Sequence, residues 1–198
     1  MACPFCDRKS LEKDLITETK NFVVVPTLGQ IVEGYSLIIP KKHVLCYGLL
    51  SGKMIDEYIE LKDKVDKAVT SAYQKPMYFE HGIVGQTVPH AHMHCVPSNR
   101  DLLPALMLRN YSIKAKRKID SEKDLRQAVH DFGPYYFYEF NGLKMAFDVN
   151  SHEMALRIAV ANALGMPELA DWKSINRQAD EKLMKKTIEK LKKILNNQ

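Results

Sequence analysis

Gly85-Gln86-Thr87-Val88-Pro89-His90-Ala91-His92-Met93-His94-Cys95-Val96-Pro97 is the stretch on which the reading of this chain turns. Histidines stand at every second position from 90 to 94, with Ala91, Met93 and Cys95 between them. Period-two alternation of this kind marks a β-strand with two unlike faces. At roughly 3.3 Å per residue, same-face neighbours sit about 6.6 Å apart. One face therefore carries a row of imidazoles, and the other packs small or apolar groups. Gly85 opens a turn that places Gln86 and Thr87 just ahead of the row. A single histidine is more often surface or satisfied core than catalytic. Three in one register behind a Gly-Gln-Thr turn point to a functional row.

The segment GQTVPHAHMHCVP resembles the signature of the histidine triad (HIT) family of nucleotide hydrolases and transferases, in which histidines alternate with apolar residues. All three histidines fit, as do the preceding Gln and Thr. The resemblance implies residues 1–100 as a HIT domain and residues 101–198 as a C-terminal extension. It implies that His92 attacks an α-phosphate to form a nucleotidyl-histidine, which water releases. It further implies that His94 donates to the phosphate or the leaving group, and that Gln86 and Thr87 bind phosphate oxygens. The chemistry suits the residue type. A neutral imidazole is a good nucleophile near pH 7 when its second nitrogen is held.

With 198 residues, the chain has room for one domain and an extension, or two small domains. Hydrophobic residues make up 45%, enough for a proper core. Charged residues at 27% and a mean hydropathy of -0.29 suit a soluble protein. No apolar run is long enough to span a membrane. The opening Met-Ala-Cys-Pro-Phe-Cys-Asp is no signal peptide, so the expected compartment is the cytoplasm, where thiols stay reduced. A net charge of +5 favours anionic ligands without separating a nucleotide from a nucleic-acid strand.

Cys3-Pro-Phe-Cys6 can be a redox dithiol, a disulfide or half of a metal site. The redox form belongs at the start of a helix after a strand, and no strand precedes it here. A zinc site needs two more ligands. His43, in the turn Pro-Lys-Lys-His, and His90 are candidates. Cys3, Cys6, His43 and His90 would make a closed tetrahedral site of the structural kind. A solvent-exposed reduced pair stays open as the alternative. Zinc-containing HIT relatives, and the similar galactose-1-phosphate uridylyltransferases, have such a pair with two such histidines.

The runs 21–26 and 35–40 read as strands, β-branched and apolar. EGYSLIIPKKHV resembles a second HIT motif. One family branch carries an Asp ahead of it that binds the nucleotide ribose. This chain has Thr27 there, which can hydrogen-bond a hydroxyl but lacks the carboxylate. Residues 51–73 read as a helix capped by Ser51, with Met54, Tyr58, Leu61, Val65, Ala68 and Ala72 on one face. Asp56, Glu57, Lys62, Asp63 and Lys64 read as its solvated side. Met77 to Gly82 is a further strand before the triad. Strand pair, helix, strand, strand predicts an α+β fold with a helix on one face of an antiparallel sheet.

The extension is expected to be α/β in content. Lys114 to Lys118 is a compact basic run, read equally as a solvated loop or a phosphate contact. Residues 121–130 suggest a short helix. Residues 135–140 and 143–149 are strands joined by Asn141-Gly142, a strong hairpin signal. Tyr135, Tyr136, Phe137 and Tyr138 are more often strand packing than a base-stacking platform. Ser151 should cap a helix running through Leu164, with Met154, Ile158 and Ala161 inward and Arg157 a candidate anion contact. A last helix, 180–195, carries Met184, Ile188, Leu191 and Leu195 on one stripe.

The leading expectation is a cytoplasmic nucleotide hydrolase, cleaving at the α-phosphate of a dinucleoside polyphosphate or nucleoside phosphoramidate. It would hold structural Zn2+ and assemble as a homodimer, as HIT relatives often do. Two rivals stay open. One is a dinucleoside polyphosphate phosphorylase or nucleotidyltransferase, although relatives of that kind frequently have Gln where His94 stands. The other is a nucleic-acid-associated deadenylase or RNA-binding protein, for which the basic run and the aromatic strand speak.

Overall fold

The structure is a computed structural model and describes residues 3–104, 113–149 and 155–197. Its strands are β1 (Thr17–Glu18), β2 (Phe22–Pro26), β3 (Ser36–Pro40), β4 (Pro76–Gly82), β5 (Met93–Pro97), β6 (Ile113–Lys118), β7 (Tyr135–Phe140) and β8 (Leu143–Val149). They form one sheet in the order β1-β2-β3-β5-β4-β7-β8-β6, and every neighbouring pair is antiparallel. The helices are α1 (Arg8–Glu12), α2 (Gly52–Ala72), α3 (Leu125–Phe132), α4 (Ala155–Ala163) and α5 (Arg177–Leu195). The fold is the expected α+β one, an antiparallel sheet with helices packed on it.

The strands are apolar at successive positions because both faces are covered. On one face Val24, Ile38, Met93, Cys95, Tyr78 and Phe137 pack against Met54, Tyr58, Leu61 and Val65 of α2. On the other, Val25, Leu37, Phe79 and Tyr138 meet Leu156, Ala159 and Val160 of α4. The expected helix on one face is α2. The extension supplies the second layer, which a reading of the first hundred residues could not contain.

α2 begins where Ser51 accepts from the backbone N–H of Met54, and its buried residues recur at helical spacing. Its charged side is not uniformly solvated, contrary to the sequence reading. Lys62 is buried, with Nζ 2.8 Å from Glu122 and 2.7 Å from Glu139. Glu57 accepts from Thr19, from the Asn21 backbone and from the Asn21 side chain. A long aliphatic stem lets a lysine cross apolar surface to reach such partners.

The β7–β8 hairpin turns at Asn141 and Gly142, with φ of 49° and 82°. Two successive positive φ values are what a tight two-residue hairpin needs, and Asn-Gly adopts them at least cost. The basic run is no loop. It is β6, at the sheet edge, with Lys116 and Lys118 exposed. Lysines on an edge strand discourage pairing with another chain. Ser151 and Met154 lie outside the described residues. On α4, Ile158 is only half-buried, and Leu156, Ala159 and Val160 take the core side. α5 lays Leu191 into the core shared with α2 and packs Ile188 and Leu195 against it.

Candidate active site

β5 starts at Met93, three residues later than the expected start at His90. β3 pairs with it from Ser36↔Cys95 to Ile38↔Met93. Further pairing stops near Pro40, which has no N–H to give, and whose carbonyl oxygen lies 2.8 Å from Nε2 of His90. The alternation nevertheless continues through the extended residues before the strand. Ala91, Met93 and Cys95 join the α2-side core, while His92 and His94 face a cleft on the other side.

His90 leaves this row. With Nε2 on Pro40, its Nδ1 lies 3.4 Å from Sγ of Cys3 and 3.6 Å from Sγ of Cys6. Nδ1 of His43 is 3.3 Å from Sγ of Cys6. The four candidate ligand atoms all fall within 4.8 Å of one another. A tetrahedral zinc with ligands at about 2.0–2.3 Å separates its donors by roughly 3.5 Å, so the group fits such an ion. The second nitrogen of His90 held by a backbone carbonyl is the outer-shell arrangement that orients a metal-binding imidazole. Burial and the adjoining Cys3 thiol push the Cys6 thiol upward, and a cation here would reverse that. These four side chains can hold zinc.

Nδ1 of His92 lies 2.7 Å from the carbonyl oxygen of His90. That nitrogen must carry the proton, so Nε2 keeps its lone pair. Burial lowers the His92 pKa to about 4, and the ring is neutral at pH 7. Nδ1 of His94 is 2.7 Å from the Tyr35 hydroxyl, and its ring stacks on Phe79 at 4.1 Å. Its Nε2 is buried without a hydrogen-bond partner among the described residues. Burial, then His92 and His81, hold its pKa well below the usual histidine range. The ring centroids of His92 and His94 are 4.8 Å apart, closer than strand spacing alone suggests.

A fourth histidine stands beside them. His81, on β4, lies 5.9 Å from His94, ring to ring, and burial lowers its pKa to about 3. Phe79↔His94 is a register pair, so the alternation of β4 carries His81 onto the cleft face. That alternation was the available signal, and the sequence reading passed over it.

The cleft has a volume of about 410 Å³. Thr27, Leu28 and Leu37 line one side, Phe5 and Leu11 another, and Gly85, Thr87 and Val88 the turn before the triad. Arg157, Trp172 and Met184 of the extension complete it. Thr27 is buried, and its hydroxyl donates to the carbonyl of Leu28. Gln86 stands behind the turn, its Nε2 donating to Leu45 O at 2.8 Å and His81 O at 2.6 Å. Tyr135, Tyr136, Phe137 and Tyr138 are all buried, so they are strand packing and no exposed stacking platform.

The family model for the HIT domain matches residues 8–101. No curated protein matches the chain. Among solved structures, the chain is similar to a hypothetical histidine triad nucleotide-binding protein from Sulfolobus tokodaii strain7. The identity is 23% and the TM-score 0.44, over 48% of this chain and 68% of that one. It is similar to a Zn-bound histidine triad family protein from Mycobacterium smegmatis at 21% identity and TM-score 0.44, over 67% and 96% of the two chains. It is also similar to a HIT family hydrolase from Clostridium thermocellum at 21% identity and TM-score 0.41, over 48% and 90%. No helix among the described residues is long and apolar enough to cross a membrane. The HIT family is in general one of nucleotide hydrolases and transferases. Residues 8–101 thus match the HIT domain, and β6, β7 and β8 beyond them continue the same sheet.

Proposed function

We propose that the protein is a nucleotide hydrolase that cleaves at the α-phosphate of a nucleotide conjugate through a nucleotidyl-histidine. The observation that carries this is the 2.7 Å contact between Nδ1 of His92 and the carbonyl oxygen of His90, on a buried ring lining a cleft. The Nε2 lone pair of His92 attacks phosphorus, a P–N bond forms, and the bond to the leaving group breaks. With the Tyr35 hydroxyl donating to Nδ1 of His94, the His94 proton sits on Nε2, where it donates a hydrogen bond to the leaving atom, which takes up its proton from solvent. Water then attacks phosphorus, the P–N bond breaks to return the lone pair to Nε2 of His92, and the water's proton is released to solvent.

Thr87 serves the phosphate oxygens from the cleft wall. Gln86 acts through the turn that its amide braces against Leu45 and His81. Thr27 faces the ribose. Zinc on Cys3, Cys6, His43 and His90 has a structural role, since four protein ligands leave no open position. Thiols so placed suit a reducing, cytoplasmic compartment. Homodimer assembly belongs to the same reading. The β4 edge is covered by β7, so a second copy would meet the sheet at β1 or β6, or through a helix face.

The test is turnover of a panel of dinucleoside polyphosphates, nucleoside phosphoramidates and adenylylated DNA by wild type and His92→Ala. Wild type should hydrolyse at least one class to a mononucleotide, and the variant none. A nucleoside diphosphate formed only with added phosphate would mark a phosphorylase instead. The exposed lysines of β6 favour a second reading, a nucleic-acid ligand. Salt-dependent binding of single strands, with no turnover in the panel, would replace the hydrolase by that reading.

A further inference from the structure

Arg157 lies outside the residues that match the HIT domain, yet its guanidinium reaches the triad cleft from α4. The residue is 4% exposed. Nε donates to Ala170 O at 2.9 Å, and Nη2 donates to Gly29 O at 2.6 Å and Leu169 O at 3.0 Å. All three partners are neutral carbonyls. The guanidinium also meets Tyr35, its carbon 5.9 Å from the ring centroid, and among the described residues no carboxylate forms an ion pair with it. Asp180, the acid at the same loop, gives its two oxygens to the backbone N–H groups of Gly29 and Gln30. A buried cation without a counter-ion is unfavourable until an anion joins it.

Two further ring nitrogens await a partner in the same cleft. Nε2 of His81 and Nε2 of His94 are both buried with no hydrogen-bond partner among the described residues. His94 is assigned above to the leaving atom; the mechanism gives His81 no task. A neutral imidazole presents one N–H, and an unmet buried donor costs stability that a ligand oxygen would restore.

We propose that Arg157 and His81 form a second oxyanion subsite at the extension's end of the cleft, holding a phosphoryl group beside the one that His92 attacks. This rests on the hydrolase reading and adds to it a site built by the extension. The ligand chemistry is a phosphate bearing two or more free oxygens. Its source is the leaving group itself or free inorganic phosphate bound alongside.

Calorimetric titration of the full chain with AMP, with ADP, and with AMP in the presence of inorganic phosphate tests this. The subsite predicts ADP binding about tenfold or more tighter than AMP, the scale of one charge-assisted contact. In Arg157→Gln and in His81→Phe that ratio should fall towards one. His81→Phe keeps a ring against Phe79 and Tyr136, so it decides the matter if Arg157→Gln, which loses its grip on Gly29 and Leu169, does not fold. Free phosphate that tightens AMP as much as the attached group does would identify inorganic phosphate as the ligand. An ADP preference that free phosphate does not reproduce would identify the leaving group.

Equal affinity for AMP and ADP in wild type with no effect of phosphate, or a ratio that survives in a folded variant, overturns the subsite. Turnover of adenosine phosphoramidate, which has one phosphate, without any ADP preference would keep the hydrolase and remove the subsite. A protein that binds neither nucleotide removes both.

Discussion

The carbonyl oxygen of His90 holds Nδ1 of His92 at 2.7 Å, while the ring of His90 faces Cys3 and Cys6. One residue thus ties the thiol pair to the candidate nucleophile. Phe5, between the two cysteines, adds a second tie, its ring 5.7 Å from His90 and 5.3 Å from His92. Purified protein should carry about one zinc per chain. Cys3→Ser with Cys6→Ser should lose the metal, lower the Tm and leave a residue of activity. Elemental analysis alongside a melting curve checks this, and metal-free protein purified without chelator would refute the site.

His92→Ala should reduce turnover by about four to six powers of ten, as for other lost nucleophiles, while nucleotide binding survives. His92→Gly should regain part of its rate with added imidazole. Wild-type enzyme quenched in mid-reaction should carry an acid-labile nucleotide. His94→Ala should lose less, because it removes one hydrogen bond to the phosphate or leaving group and leaves the attacking atom. Single-turnover assays with a mass measurement of the quenched protein distinguish these outcomes.

Lys62 joins α2 to the extension through Glu122 and Glu139. Both acids lie in buried or half-buried positions, and Lys144 shares Glu122 at 2.8 Å. Lys62→Ala should cost about 3–5 kcal/mol in urea denaturation, since it leaves Glu139 without its cation and Glu122 with Lys144 alone. Replacing Lys62 and Glu139 together by Met and Gln should cost much less than the single change. Equal losses would mean that the pair does not act as a unit.

Glu80 lies on the core side of β4, accepting from the Tyr47 N–H at 2.8 Å and the Tyr135 hydroxyl at 2.6 Å. Burial raises its pKa from 4.5 to about 8. Between those values the folded chain keeps the proton and the unfolded chain gives it up. The unfolded state binds fewer protons there, so stability falls as pH rises, by up to about 1.4 kcal/mol per pH unit from this group. Glu80→Gln should flatten the decline. Urea midpoints measured from pH 5 to pH 8 decide it, and parallel profiles for the two proteins would rule Glu80 out.

Much of this was readable from local pattern. The alternation around His92 and Met93 assigns the two faces of β5 correctly, because period two is a property of the strand backbone. Asn141-Gly142 forecasts its hairpin for an equally local reason. What escaped depended on long-range partners. Lys62 looked solvated because Glu122 and Glu139 lie far along the chain. His81 looked ordinary because its neighbour His94 belongs to another strand. The basic run became β6 because β8 pairs with it. Arg157 could be suspected but not placed, since its hold on Gly29 joins residues remote in sequence.

The pairing of β4 with β7 has a consequence for how the protein is born. β4 is complete at Gly82, but its partner starts only at Tyr135. At roughly 5–20 residues per second, a ribosome takes several seconds to make the intervening segment. During that interval the nascent chain carries an open strand edge beside Phe79, open to wrong partners. Slower elongation through this segment should lengthen that exposure, and the yield of correctly folded protein should depend on translation speed and on chaperones that shield the edge.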